Sequence, residues 1–304
     1  MLTPDELVSL IWTLPPGAPG GMTTSQQDYD NLRASRVKRL EIVGEFATVA
    51  LLREVRNSTQ VRRFAARLHD YDYDTPEARA RWHDRLGALK AEGLDTAVLG
   101  VEVNDRFDMR FESKNWGEDR AKQIRDAVLE LVEEWASLGI KISAPALKYQ
   151  GQYRDWREGL MPGLFRWREI LREAANKCHY STEHVYGADG TWYDTDKRVR
   201  VGLWLALSLA NTNVWLGETN IDRGTDQEQA LFLVRLLSLL YWSDPRHPDF
   251  GPWAGSGERL VQFVPFAANG DTRGWGSPNH LIADIEAYRT IGRFMGGERF
   301  YFPL

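Results

Sequence analysis

Asn213-Val-Trp-Leu-Gly-Glu-Thr-Asn-Ile221 reads as a short apolar strand that runs out at a carboxylate, Glu218. Directly after it, Asp222-Arg-Gly-Thr225 opens a long amphipathic stretch, Asp226 to Tyr241, whose apolar residues recur at helical spacing. A strand feeding a helix is the repeating unit of a parallel sheet, so the fold turns on how many such units the chain holds. Where they close into a barrel, the C-terminal ends of the strands share one mouth. A carboxylate placed there can serve as nucleophile, acid, base or metal ligand.

Working outward, the unit recurs. Leu7 to Leu14 is apolar and is stopped by Pro15-Pro-Gly-Ala-Pro-Gly-Gly21. Further strands are expected at Val37–Val43, Val61–His69, Thr96–Val103, Ile140–Leu147, His179–His184 and Arg259–Phe266. Helical patterns stand between them at Thr24–Leu32, Ala47–Val55, Thr75 to about Gly93, Glu118–Ser137, Leu164–Ala175, Asp196–Leu209 and, at the end, His280–Met295. Thr24 or Ser25 is a natural cap for the first helix, and Pro76 takes the first helical position of another. Eight alternating units without a linker predict an α/β chain folded as a (β/α)8 TIM barrel, one domain over residues 1–304. The pattern is weakest in the early units, about residues 1–60. An open doubly wound sheet is disfavoured, because no glycine-rich phosphate loop follows the first strand.

Composition excludes several classes. The net charge of −5 comes from interleaved acids and bases, so no nucleic-acid partner and no membrane surface is expected. The longest apolar run, Val201 to Ala210, is too short to span a bilayer. The N-terminal residues Met1-Leu-Thr-Pro-Asp-Glu lack a basic segment and an apolar core. A cytoplasmic or virion-associated location is therefore expected over Sec-dependent secretion. Cys178 is the sole cysteine, which rules out an internal disulfide, and a small buried core residue is expected there. No His/Cys cluster has zinc spacing and no Gly-x-Ser-x-Gly elbow is present, so neither a metal nor another cofactor is expected. Asp70, Asp72 and Asp74 alternate in a loop but lack the glycine and distal glutamate of a calcium loop, and read as solvated acids.

The chain has 12 tryptophans, more than a core of this size needs. Trp116, Trp156, Trp192, Trp253 and Trp275 fall in expected loops. Exposed indoles stack on sugar rings; the competing reading is packing on the barrel rim with the indole N–H bonded to a backbone oxygen.

What the strands deliver at their C-terminal ends is polar, whereas their bodies are apolar. In order these are Trp12; Glu45; Arg67, His69 and Asp70; Glu102, Asn104 and Asp105; Lys148 and Tyr149; Glu183, His184 and Tyr186; Glu218 and Asn220; Asn269 and Asp271. Concentrating ionisable groups at one end costs stability unless they serve a site.

This order resembles the clan A retaining glycoside hydrolases, the cellulase and β-glycosidase-like (β/α)8 barrels. In that clan an Asn-Glu pair ends the fourth strand and a second Glu ends the seventh. Val101-Glu-Val-Asn104-Asp105 stands at the first place and Trp215-Leu-Gly-Glu218 at the second. Arg67-Leu-His69-Asp70 is similar to the clan's histidine-bearing third strand, and Ser181-Thr-Glu-His184-Val-Tyr186 to its His-x-Tyr sixth strand. Gly274-Trp275-Gly276 sits where an aromatic floors the sugar site. The resemblance implies Glu218 as nucleophile and Asp105 as acid. It implies Asn104, His69, His184, Tyr186, Arg67, Trp275, Trp116 and Asn220 as sugar-binding residues, and a poly- or oligosaccharide ligand.

The departure is Asp105, one methylene shorter than the clan's glutamate. Three readings stay open: a shifted backbone that lets Asp105 act, a proton supplied by Glu102 or Glu183, or loss of the acid. The last would leave a catalytically inactive glycan-binding or structural barrel with protein assembly partners, for example in a virus particle. An aldolase-type barrel using Lys148 is a weaker alternative.

Overall fold

Parallel strands alternate with helices along the computed structural model, which describes residues 8–19, 23–100, 118–149, 162–187, 212–221, 225–242, 260–265 and 282–300. The strands are β1 (Ser9–Trp12), β2 (Arg39–Val43), β3 (Arg63–Leu68), β4 (Leu94–Gly100), β5 (Lys141–Tyr149), β6 (Tyr180–Gly187), β7 (Asn213–Ile221) and β8 (Leu260–Pro265). The described helices are α1 (Ser25–Ser35), α2 (Val49–Ser58), α3 (Pro76–Lys90), α4 (Glu118–Glu134), α5 (Pro162–Lys177), α6 (Asp226–Trp242) and α7 (Ile285–Met295). The sheet order follows the chain from β1 to β8, the seven pairings are all parallel, and β8 returns to lie beside β1. The expected (β/α)8 barrel is what the chain forms. The helix expected over Asp196–Leu209 lies outside the described residues.

Local chemistry starts the helices where the sequence places them. Thr24, Thr48 and Thr75 stand in extended conformation before α1, α2 and α3, and each side chain accepts the N–H three residues on. Asp284 caps α7 through the Glu286 N–H. These bonds satisfy donors that a helix start leaves orphaned.

Strand alternation divides the buried residues into two sets. Leu10, Leu40, Ile42, Phe64, Ala66, Leu68, Ala97, Leu99 and Val214 join the large core between strands and helices. Ile11, Ala65, Val98, Tyr180 and Trp215 form a second cluster inside the cylinder. Trp12 belongs to the outer set: its ring meets Tyr29 of α1 edge-on at 5.8 Å. It therefore packs under a helix and does not line the mouth, since the alternation gives the lumen to Ile11. Cys178 is buried, and burial pushes its thiol up to about 12, so it is a core residue rather than a nucleophile.

The register shifts at several places: β4 gains a residue against β3 at Asp95, β8 gains one against β7 at Val261, and β5 and β7 each bulge toward the site end. Three steps along β5, from Ser143 to Ala146, match two along β4, and four steps to Leu147 match three along β6. Pro145 lies in that interval, and a proline with no N–H to give is tolerated inside a sheet at such a bulge. In β7, two steps from Leu216 to Glu218 match one on β6, and three from Leu216 to Thr219 match two on β8. Gly217 is the residue that β6 skips, and it lies within the interval shifted against β8; glycine is suited to a bulge.

The cylinder's outer ring closes through α7, which packs on α1 and α6. Gly292 makes the approach to α1: a Cβ there would collide with the Ala34 carbonyl oxygen. Gly292→Ala is expected to destabilise the fold by about 1–3 kcal/mol, the usual cost of overpacking, read as a lowered urea midpoint.

At the start of β6, His179 clamps the sheet. Its N–H donates to the Ile142 carbonyl at 2.8 Å, and its Nδ1 accepts the Ile142 N–H at 3.1 Å. An Nδ1 that accepts must be unprotonated. Desolvation first, and the Lys141 charge second, hold the imidazole below its ordinary value. The fold thus favours the neutral ring. Its contribution is complete above about pH 6.5 and is lost as the pH falls through the lowered folded value. Urea midpoints measured across this range should decline toward acid, and His179→Gln should remove that part of the decline.

Candidate active site at the strand ends

Three polar side chains meet inside the barrel below the mouth. Glu41, on β2, is fully buried, and Arg67, on β3, is 3% exposed. Arg67 Nε donates to Glu41 Oε1 at 2.6 Å, and Trp215 Nε1 donates to Glu41 Oε2 at 3.1 Å. One carboxylate thereby ties β2 to its neighbour β3 and to β7 across the lumen. Deeper down, Arg39 Nη2 meets Asp95 Oδ2 at 2.5 Å, and its guanidinium lies 5.7 Å from the Trp215 ring centroid. The Tyr180 ring meets that indole edge-on at 5.3 Å. A charged lumen needs such pairing, because an isolated ion in a dry interior is costly.

The β3 end is built by an aspartate the sequence reading took for a solvated acid. Asp72 is buried: its Oδ2 accepts the His69 N–H at 3.0 Å and its Oδ1 accepts Trp82 Nε1–H at 2.9 Å. The turn Asp70–Asp72 is 3₁₀-helical. His69 is 6% exposed because the Tyr71 ring stacks on it, with centroids 5.2 Å apart and planes 25° apart. Tyr73 OH donates to the Gly100 carbonyl at 2.8 Å and so pins the end of β4, just before Val101-Glu-Val-Asn104-Asp105. Asp74 pairs with Arg120 at the start of α4 at 3.2 Å.

Backbone register places four of the expected site residues. On β6 and β7, His184 pairs with Glu218, and Tyr186 with Asn220. Thr182 pairs with Trp215 two rungs deeper. His184 also pairs with Lys148 of β5. Glu218 is three residues beyond Trp215, an odd step that would put the two on opposite faces of a regular strand. The extra residue at Gly217 restores the parity, so Glu218 occupies the rung that continues the one holding Trp215.

Arg67 and His69 both stand at the β3 end; Arg67 is ion-paired to Glu41, and His69 lies beneath Tyr71. Asn104, Asp105, Trp116 and Trp275 lie outside the described residues, as do Trp156, Trp192 and Trp253. The four tryptophans whose side chains are described, Trp12, Trp82, Trp135 and Trp215, are all buried. Three of these donate their indole N–H to Asp72, the Arg79 carbonyl and Glu41. Glu41, Tyr71 and Asp72 are the residues that sequence reasoning missed. A signal for Glu41 existed: both faces of a barrel strand are buried, so the charges alternating in Arg39-Leu-Glu-Ile-Val43 had to enter the lumen.

The fold is a (β/α)8 barrel, and solved glycoside hydrolases share it. The GH10-containing modules of endo-1,4-β-D-xylanase 10B from Clostridium thermocellum, complexed with xylohexaose, superpose with a TM-score of 0.61 at 10% identity. The match covers 96% of this chain and 67% of that one. A β-glycosidase matches over 100% of this chain and 99% of its own, with a TM-score of 0.56 and 10% identity. A curdlan-specific exo-β-1,3-glucanase of GH128 (subgroup III) from Blastomyces gilchristii, in complex with glucose, gives 0.54 and 12% over 94% of this chain and 98% of that one. No protein-family model and no curated protein sequence matches the chain. At these identities the likeness is one of fold. No helix among the described residues is long and apolar enough to cross a membrane.

Proposed function

We propose that this barrel hydrolyses a β-linked poly- or oligosaccharide by a two-carboxylate retaining mechanism, with Glu218 as nucleophile and Asp105 as general acid. The observation that carries the reading is the register at Gly217, which pairs Glu218 with His184 in the C-terminal half of β7. Support comes from the fold shared with xylan- and glucan-cleaving enzymes, and from the β3 end, which holds His69 and Arg67 at the same end of the cylinder.

In this reading Glu218 attacks the anomeric carbon while Asp105 protonates the departing oxygen. Water, deprotonated by Asp105, then releases the sugar from Glu218. The reaction needs the two carboxyl groups about 5–5.5 Å apart. Asn104 bonds the hydroxyl beside the anomeric carbon, Asn220 and Tyr186 flank the nucleophile, and Trp275 and Trp116 offer ring faces to neighbouring sugars. The shorter Asp105 side chain also favours a second reading, a barrel that binds glycan without cleaving it.

The test is reducing-sugar release from curdlan, laminarin, xylan and cellulose, with the first-formed anomer followed by NMR. Release of the β-anomer supports the proposal. Inverted product would require a different carboxylate pair. Glycan binding with no release from any of the four would leave the non-catalytic barrel.

A further inference from the structure

Among the described residues, Tyr71 is the one large hydrophobic side chain left exposed, at 50% of its surface. It stands at the C-terminal end of β3, the end of the cylinder that carries Glu218. Its ring is backed by the His69 imidazole, nearly parallel and 5.2 Å away.

The turn beneath Tyr71 is braced on every side. Asp72 joins the His69 N–H to the Trp82 indole, so the turn is bonded both to the strand it leaves and to the helix it precedes. Tyr73 OH reaches the Gly100 carbonyl on β4. Arg79 Nη1 donates to the Tyr73 carbonyl at 3.3 Å, and Arg120 pairs with Asp74. Thr75 caps α3 directly afterward. The Asp72 and Tyr73 side chains are turned inward to make these bonds, while the tyrosine ring of Tyr71 is presented outward on a rigid mount. A flexible loop would let the ring collapse onto apolar surface; this one holds it flat over His69 with part of its surface in water.

We propose that Tyr71 is a sugar-stacking platform at the mouth of the barrel, a binding subsite for a pyranose ring remote from the cleaved bond. This rests on the reading of the barrel as a glycan-cleaving enzyme. The apolar C–H face of a β-linked pyranose matches a flat aromatic ring, and pre-ordering of the turn lowers the entropy cost of binding. His69 acts as the backing that fixes the plane of Tyr71. The platform discriminates by chain length: it engages only substrates that extend past the reacting sugar, and it leaves the chemistry at the anomeric carbon alone.

The experiment compares wild type, Tyr71→Ala and Tyr71→Phe. Calorimetry, with Glu218→Gln added to each protein so that the ligand stays intact, gives the affinity for a long laminarioligosaccharide and a long xylooligosaccharide, and kcat/KM is measured on aryl β-glycosides carrying one sugar with Glu218 in place. Tyr71→Ala should weaken the long oligosaccharide that wild type prefers about tenfold, the size of one ring-stacking contact. Its kcat/KM on the aryl glycoside should stay at the wild-type value. Tyr71→Phe, which keeps the ring, should bind within about twofold of wild type. Unchanged oligosaccharide affinity in Tyr71→Ala, with hydrolysis intact, overturns the platform and leaves the proposed activity standing. An equal loss in Tyr71→Phe and Tyr71→Ala assigns the effect to the hydroxyl and overturns stacking. A wild-type protein that neither binds nor cleaves any β-glycan overturns both proposals.

Discussion

Glu218→Gln should reduce kcat by about 10⁴-fold or more, the scale on which loss of a covalent nucleophile is felt in other hydrolases. In free energy that is about 5 kcal/mol of barrel-specific transition-state stabilisation. The amide is nearly isosteric with the carboxylate, so packing and register have no reason to change. Its neutral oxygen is too poor a nucleophile to form the glycosyl-enzyme, and no water-activating role would survive either. The measurement is kcat on the best substrate of the wild-type panel, alongside the thermal midpoint. Low activity with an unchanged midpoint is the expected pair. Retained turnover would remove Glu218 from the mechanism.

Glu41→Ala is expected to have the largest effect on stability. Its carboxylate is fully buried and bonds two partners on different strands. Removing it takes from the Arg67 charge its bonded carboxylate inside the lumen, and from Trp215 the acceptor for its indole N–H. Breaking one side of a buried ion pair costs about 3–5 kcal/mol. That is a large part of the total stability of an ordinary domain. Urea unfolding should show the midpoint falling with an unchanged slope. The double variant Glu41→Leu with Arg67→Met removes both charges and fills the space, and it should recover most of the loss. If Glu41→Ala were as stable as wild type, the strut would have no energetic role.

Much of this was legible in the chain. All eight strands and the seven described helices fall, to within a few residues at their ends, where periodicity, the cap at Thr24 and the start at Thr75-Pro76 put them, because those signals are local. The less regular features were not. The reading of the seventh strand ended it at Glu218, whereas β7 continues to Ile221. The pairing that prolongs it depends on β6 and β8, which no local pattern reports. Asp72 looked like one of three solvated acids, since its burial depends on Trp82 ten residues away. Trp12 looked like a mouth residue, although the one-residue difference between Ile11 and Trp12 decides lumen against helix. At the strand ends, the sequence shows which residue types each strand carries. Which of them share a rung it does not show, because odd spacing hid the match between His184 and Glu218.

That last point changes how the chain should be compared with others. Between the indole of Trp215 and the acid of Glu218, distance along the barrel is measured in rungs, and Gly217 occupies none. A relative lacking one residue here would keep the same rung for its acid, so a single gap at this place in an alignment leaves the strand pairing beyond it unchanged. An inserted residue elsewhere in the same strand would move the acid off the rung it shares with His184. A search that demands a fixed residue count between the two would pass over a barrel without the extra residue, whereas one indexed by strand pairing would accept it.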